Sequence, residues 1–338
     1  MKQNQKMFCL KCGHSQLAST DCDDLLCLSC GHNYKYEDGV LDFSMDESLV
    51  TNLENIDYDA IGGIDEKVIT AIGKQWSQLF HRSKIDLRGK SVLEIGSGTG
   101  ALTVGLLEST HLKEIFATDI SKKFLAKVSH RIKPEYVSKI VLVSCDCNNL
   151  PFQENSFDLI VGRSILHHLI DYDRVLKQAQ LVLTKNGSAI FFEPILEGKL
   201  IVAFFTEVIL GLLSIEKRED FSLREINLMK STVRNITKAS WYPQDRNSLL
   251  NIEDKYIFTL KKMTELGKSV GFSSVKILQP PIDIDCSYWA YFIATMRLLN
   301  ISPIKFERYR FVSEAFLKTY GSFPDMLTMP MAYFRFIK

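Results

Sequence analysis

The stretch "SVLEIGSGTG", residues 91 to 100, constrains the fold more than any other part of this chain. Five residues of buried-strand character run straight into a turn with glycine at 96, 98 and 100, and "ALTVGLLEST" continues as a helix. A strand that enters a helix in this way opens a βαβ unit, and such units build a mostly parallel sheet with helices on its faces. Without a Cβ, the glycines let backbone approach a ligand at the carboxyl end of the strand. Apolar runs then alternate with helical periodicity. "EIFATDIS" predicts a second strand ending in Asp119, "IVLVSCDCNNLPF" a third ending in Asp146, and "FDLIVGRSILHHL" and "GSAIFFEP" a fourth and a fifth. Asp119 stands 19 residues past Gly100, where a carboxylate can take both hydroxyls of a ribose. Dinucleotide oxidoreductases use a related turn, but usually spaced GxGxxG, whereas "GSGTG" is GxGxG.

This ordered series resembles the class I S-adenosylmethionine-dependent methyltransferases, especially the broad group of ubiquinone/menaquinone-type and small-molecule enzymes. The likeness spans about residues 70–195 and resumes near 255–280. It implies a Rossmann-like α/β fold with a seven-stranded sheet, and S-adenosyl-L-methionine as cofactor. Carried over residue by residue, Glu94, Gly96, Ser97, Gly98 and Gly100 fall in the first motif. Asp119 with Ile120 matches the ribose acid, Asp146 with Cys147 the adenine pair, and Gly162 the end of the fourth strand. "LVLTKNGSAIFFEP" matches the usual L-K-P-G-G turn into the fifth strand, with Asn186 and Ser188 replacing Pro and the second Gly.

Before this region lie "CLKCGH" and "CLSCGH". Cys9, Cys12, Cys27 and Cys30 form CxxC-x14-CxxC, a spacing in which two tight knuckles aim four thiolates at one zinc ion. Such a closed shell is structural and leaves no open position for catalysis. Cys22 falls between the knuckles and is read as a loop residue. The segment 8–44, with Tyr34, Asp38, Gly39 and Val40 in place, resembles the small zinc ribbon found as a methyltransferase activator and as an extension of bacterial methyltransferases. That likeness implies a stabilising cap or a docking surface for a protein partner. The domain reading is therefore a zinc ribbon over 1–44, a linker or cofactor cap over 45–75, and a methyltransferase domain over 76–338. Lid insertions are expected at about 196–252 and 281–327.

Bulk composition narrows the class. Apolar residues make up 46% and charged residues 24% of 338, the proportions of a globular chain, and the formal net charge is +1. Near-neutrality offers no general attraction to nucleic acid. The start carries no apolar core of signal-peptide length, and clustered CxxC pairs suit a reducing compartment, so a cytoplasmic location is expected. "LIVAFFTEVILGLL", residues 200–213, reads as too short to span a bilayer, and it contains Glu207.

Methyl transfer from a sulfonium needs alignment more than acid–base help, and a base matters only where the acceptor must lose a proton. Arg163, Ser164, His167 and His168 follow the fourth strand, and His167, His168 and Arg163 are the catalytic candidates. Glu193 ends the fifth strand as a further acid. "GRSI" stands where methyltransferases of exocyclic amines carry Asn/Asp-Pro-Pro-Tyr/Phe, which disfavours such acceptors. The insertions are rich in Phe, Tyr, Leu and Ile, which suggests a lipid-like acceptor or peripheral membrane contact; burial of these residues against each other accounts for them equally well. The chain thus reads as a methyltransferase for a small organic or lipid-like molecule. An rRNA base methyltransferase that reads RNA through its ribbon is the alternative, disfavoured by charge. A non-catalytic cofactor-binding scaffold is the second.

Overall fold

The computed structural model describes residues 5–44, 65–239, 249, 254–278, 284–320 and 329–338. Most of the expected linker, including Tyr58, and parts of both expected insertions lie outside the described residues. The chain divides into two compact units. The first comprises Met1–Phe191, Thr264–Lys276 and Phe334–Lys338, and the second Phe192–Met263 and Ile277–Tyr333.

The N-terminal segment forms a three-stranded antiparallel sheet from β1 (Leu17–Ser19), β2 (Leu25–Cys27) and β3 (Asn33–Tyr34). A hairpin of β4 (Tyr36–Glu37) and β5 (Val40–Asp42) follows, turned by Asp38 and Gly39, both at positive φ (51° and 81°). Asp-Gly at paired positive φ is the turn that matches the twist of a tight hairpin.

The main sheet contains β6 (Ser91–Ile95), β7 (Glu114–Asp119), β8 (Ile140–Ser144), β9 (Phe157–Arg163), β10 (Leu183–Pro194), β11 (Ser274–Leu278) and β12 (Met331–Ile337). Its order is β11-β12-β10-β9-β6-β7-β8-β5-β4, nine strands among the described residues where the family resemblance implied seven. The two additional strands are the N-terminal hairpin. β5 pairs in parallel with β8, with Val40 opposite Leu142, Leu41 opposite Val143 and Asp42 opposite Ser144. Further bonds hold the N-terminal segment to this sheet: Phe43 N donates to Ser144 O at 2.8 Å, Phe8 N to Pro151 O at 3.0 Å and Lys122 Nζ to Asp42 at 2.7 Å. The expected ribbon is therefore continuous with the main sheet rather than a bead on a linker.

All five residues of β6 are buried, as a strand covered on both faces requires. Helix α1 (Glu66–Arg82) starts at Asp65, whose carboxylate accepts from Val68 N at 2.9 Å, and buries Ile69, Ile72, Trp76, Leu79 and Phe80. It packs on α2 (Ala101–Ser109) through two glycines. A Cβ on Gly73 would lie 2.3 Å from Gly105 O, so the two backbones touch directly. Helix α3 (Lys122–Arg131) starts at Ser121, which accepts from Phe124 N, and α4 (Tyr172–Val182) buries Val175, Leu176, Ala179 and Val182.

The second unit has its own core. α5 (Leu196–Ile215), α6 (Leu223–Ala239), α8 (Ile284–Leu298) and α9 (Phe311–Tyr320) belong to it, while α7 (Leu260–Ser269) straddles the two units. Phe205, Ile209, Tyr288, Phe292, Met296, Phe306 and Tyr309 are buried together, with edge-to-face rings such as Phe292–Phe306 at 5.1 Å. Much of the aromatic content described in the expected insertions is taken up by this core, while Phe204 and Phe311 are exposed. α5 runs for 20 residues, longer than the apolar stretch marked in the sequence, and by length and composition alone it could cross a membrane. Its residues Val202, Phe205, Ile209 and Leu213 are instead committed to the core.

The glycine pair in α1 and α2 sets a measurable requirement. Gly73→Ala is expected to cost about 1–3 kcal/mol by overpacking. Gly211→Ala, in a helix with nothing within 4 Å of the new methyl, is expected to be neutral or to stabilise by roughly 0.5–1 kcal/mol. Urea unfolding of the two variants checks both values.

Candidate active site

The turn after β6 is built from glycines with different jobs. Gly96, Gly98 and Gly100 all have positive φ (71°, 53° and 89°), where side chains are strained. A Cβ on Gly96 would meet the Ile165 side chain at 2.5 Å, and one on Gly100 would meet Val128 at 2.8 Å. Only Gly98 faces open space, with nothing within 4 Å of a Cβ. Two of the three glycines therefore serve internal packing, and Gly98 is the one that leaves room for a ligand. Gly162 likewise lets the Phe191 ring approach to 2.6 Å of where a Cβ would be.

Asp119 ends β7, beside the end of β6. Its carboxylate accepts from Gly98 N at 2.8 Å and from Ser121 N at 2.9 Å. The turn is braced by Ser97 N donating to Thr118 O and Gly100 N to Ser97 O, both at 2.9 Å. Ser97 is buried, and its hydroxyl has no hydrogen-bond partner among the described residues. An orphaned buried hydroxyl beside an open glycine is a feature that a bound polar group would complete. Ile120 is half-buried, and its carbonyl accepts from Ser144 Oγ.

Asp146 lies two residues beyond the end of β8 rather than within the strand. Its Oδ1 accepts from Asn148 N and Nδ2 at 2.9 and 3.0 Å, an Asx turn that orders the loop. Burial pushes the Cys147 and Cys145 thiols up, which keeps them protonated and makes them poor nucleophiles.

Glu94, within β6, is 1% exposed and accepts from Thr103 Oγ1 at 2.5 Å. Burial pushes its carboxyl up to about 8; the Thr103 hydrogen bond opposes this, Asp119 adds to it, and Arg163 opposes it. Arg163 is the exposed last residue of β9 rather than following it, and Ser164 sits at φ 56°, an uncommon value for a residue other than glycine. A short 3-10 turn over Leu166–His168 then sets the His167 and His168 rings 4.0 Å apart, the first buried and the second half-buried. Glu193 is fully buried and belongs to the second compact unit.

The four knuckle cysteines form a separate cluster whose sulfurs all lie within 4.8 Å of one another. Cys9 and Cys30 sulfurs are 3.6 Å apart, Cys12 and Cys27 sulfurs 3.5 Å. Disulfide sulfurs would be about 2.05 Å apart. Tetrahedral thiolates about 2.3 Å from one ion lie a little under 4 Å apart, so the spacing fits a metal. The two knuckles repeat each other: Cys9 N donates to His14 O and Cys27 N to His32 O, both at 2.8 Å, while Gly13 N and Gly31 N donate back to Cys9 O and Cys27 O. Tyr34 contacts Cys9 Sγ through its hydroxyl at 3.2 Å and stacks on Phe43 at 4.0 Å. Cys22 is exposed and stands outside the cluster.

Two residues escaped the sequence reading. Asp24 is mostly buried and receives Asn33, Lys35 and the Tyr36 amide at 2.8–3.0 Å; these bonds, the Tyr36 amide foremost, hold its carboxyl down to about 2. Ile165 fills the space over Gly96. Neither stands out in a sequence, because an acid in an acidic loop and an isoleucine beside a strand are both ordinary.

Residues 93–191 match the family described as "Methyltransferase domain". The demethylmenaquinone methyltransferase of Geobacillus sp. (strain WCH70) is 28% identical over 107 residues, covering 31% of this chain and 46% of that protein. The matched stretch thus spans less than half of that relative's length. The protein of the same name from Staphylococcus saprophyticus is 26% identical over 212 residues, covering 60% of this chain and 79% of that one. Among solved structures, Haemonchus contortus phosphoethanolamine N-methyltransferase 2, in complex with phosphomonomethylethanolamine and S-adenosylhomocysteine, aligns at a TM-score of 0.45 and 15% identity, covering 78% of this chain and 52% of that one. The likeness to a methyltransferase domain rests on residues 93–191, less than a third of the chain.

The raised Glu94 carboxyl has a consequence for stability. The folded chain keeps this proton up to about pH 8, while the unfolded chain releases it near 4.5. The contribution is therefore full below 4.5 and is lost as pH rises toward about 8. Denaturant unfolding of the cofactor-free protein at a series of pH values between these limits is expected to show that decline, and Glu94→Gln to flatten it.

Proposed function

We propose that the protein is an S-adenosylmethionine-dependent methyltransferase acting on a small organic or lipid-like acceptor, with a structural zinc in its N-terminal ribbon. The observation that carries this is the turn at Gly98: an amide bonded to the Asp119 carboxylate, open space in front of it, and the unpartnered Ser97 hydroxyl alongside. When bound, S-adenosylmethionine supplies an electrophilic methyl carbon and a neutral thioether leaving group. Asp119 would hold the ribose hydroxyls, with the glycine turn and Glu94 flanking the rest of the ligand and the Asp146–Cys147 loop at the adenine. Arg163, Ser164, His167 and His168 would orient the acceptor, and one histidine would take a proton where the acceptor must lose one.

Cys9, Cys12, Cys27 and Cys30 would hold the zinc. The closed sulfur set supports a folding role, and the pairing of β5 with β8 supports the ribbon as a cap on the sheet edge. The relatives named demethylmenaquinone methyltransferase support an organic acceptor over a nucleic acid.

The test is to incubate purified protein with methyl-labelled S-adenosylmethionine and a cell extract, then separate RNA, protein and organic-soluble fractions. Label in the organic or small-molecule fraction is expected; label in RNA would replace this proposal with the ribbon as substrate reader. Asp119→Ala is expected to weaken S-adenosylhomocysteine binding at least ten-fold by calorimetry, and an unchanged affinity would reject the cofactor assignment. Elemental analysis is expected to find one zinc per chain, lost in Cys27→Ser.

A further inference from the structure

At the end of the strands opposite the Gly98 turn lies a cavity of about 390 Å³, formed wholly within the first unit. Its charged lining comprises Lys84, Lys90, Lys185 and Arg335 against Asp86 and Asp158. Both carboxylates are already committed. Asp86 takes a two-pronged contact from Arg88, with bonds of 2.8–3.1 Å. Asp158 accepts from Lys90 Nζ at 3.3 Å and from Ser91 N at 2.9 Å. That leaves Lys84, Lys185 and Arg335 without a carboxylate partner among the described residues.

Arg335 is the unusual member. It is half-buried, its Nη1 donates to the Ser83 carbonyl at 3.3 Å, and its Nε is buried with no partner. Burial lowers its pKa, and no carboxylate opposes the fall. A half-buried guanidinium that shares one hollow with two ammonium groups is a site that an anion would neutralise. Guanidinium and ammonium donors set around one hollow suit a tetrahedral oxyanion, the guanidinium by its forked donors and the ammonium as a point charge.

We propose that this cavity binds a small phosphate-type oxyanion, with Arg335 at its base and Lys84 and Lys185 at its rim. β6 separates it from the glycine turn: Lys90 precedes the strand and Gly96 follows it, about 20 Å away at roughly 3.3 Å per residue. Occupancy of the two sites is therefore sterically independent, and the inference does not rest on the methyltransferase reading.

The experiment titrates the full-length protein with inorganic phosphate at constant ionic strength, in a calorimeter, with chloride as the balancing anion. Saturable binding is expected. Lys185→Glu, at an exposed position near the start of β10, is expected to weaken it at least ten-fold while leaving S-adenosylhomocysteine affinity unchanged, and Arg335→Gln to weaken it similarly. A parallel titration with glycerol 3-phosphate separates the sources of the ligand: equal affinity assigns the free ion, and tighter binding assigns a phosphate ester. No saturable binding by the unmodified protein, or phosphate affinity unchanged in Lys185→Glu, would overturn the proposal.

Discussion

Strand β6 is hydrogen-bonded on one side to β7 and on the other to β9, and none of its five residues reaches solvent. A strand buried on both faces has one register open to it, because a slip would carry Glu94 and the glycine turn out of place together. Its carboxyl end carries the Gly98 turn of the candidate cofactor site. Asp119 is brought up by pairing of Ile95 with Thr118, and Gly98 N then meets the carboxylate. The buried Glu94 sits beneath the same turn, held by Thr103 from the helix that follows. Helix α1 secures the arrangement by packing glycine on glycine against that helix.

The N-terminal segment shows how a four-cysteine module can become part of a sheet. Four cysteines order two matching knuckles, and Tyr34 and Asp24 tie the knuckles to the hairpin that follows. That hairpin lies along β8, so β5 ends level with Ser144, and Ser144 is level with Asp119. Paired backbone thus runs from the hairpin to the row that holds Asp119. The Lys122–Asp42 ion pair crosses the same row.

Much of this was legible because it depends on local pattern. Strands with continuous apolar character, a glycine turn, an acid at a set distance and paired CxxC knuckles are all visible as residue types at spacings. What escaped depends on partners far away in the chain. No spacing distinguishes Gly98, which faces open space, from Gly96 and Gly100, which accommodate Ile165 and Val128. The aromatic residues of the two insertions suggested an acceptor pocket, yet apolar content alone does not say whether a ring meets a ligand or another ring. Phe205, Tyr288, Phe292 and Phe306 meet one another.

The sequence by itself determined the parallel α/β class, the order of the strands along the chain, the glycine turn with Asp119 and the four-cysteine set, since each follows from short-range periodicity or the chemistry of one residue type. Tertiary structure alone decided that, among the described residues, the N-terminal hairpin extends the sheet to nine strands, that Gly98 is the open glycine of its turn, that Glu94 holds its proton to about pH 8, and that Arg335 has no carboxylate partner. The physical reason is common to all four. Strand pairing, steric room, desolvation and charge balance are properties of what surrounds a residue, and residues distant in sequence supply those surroundings.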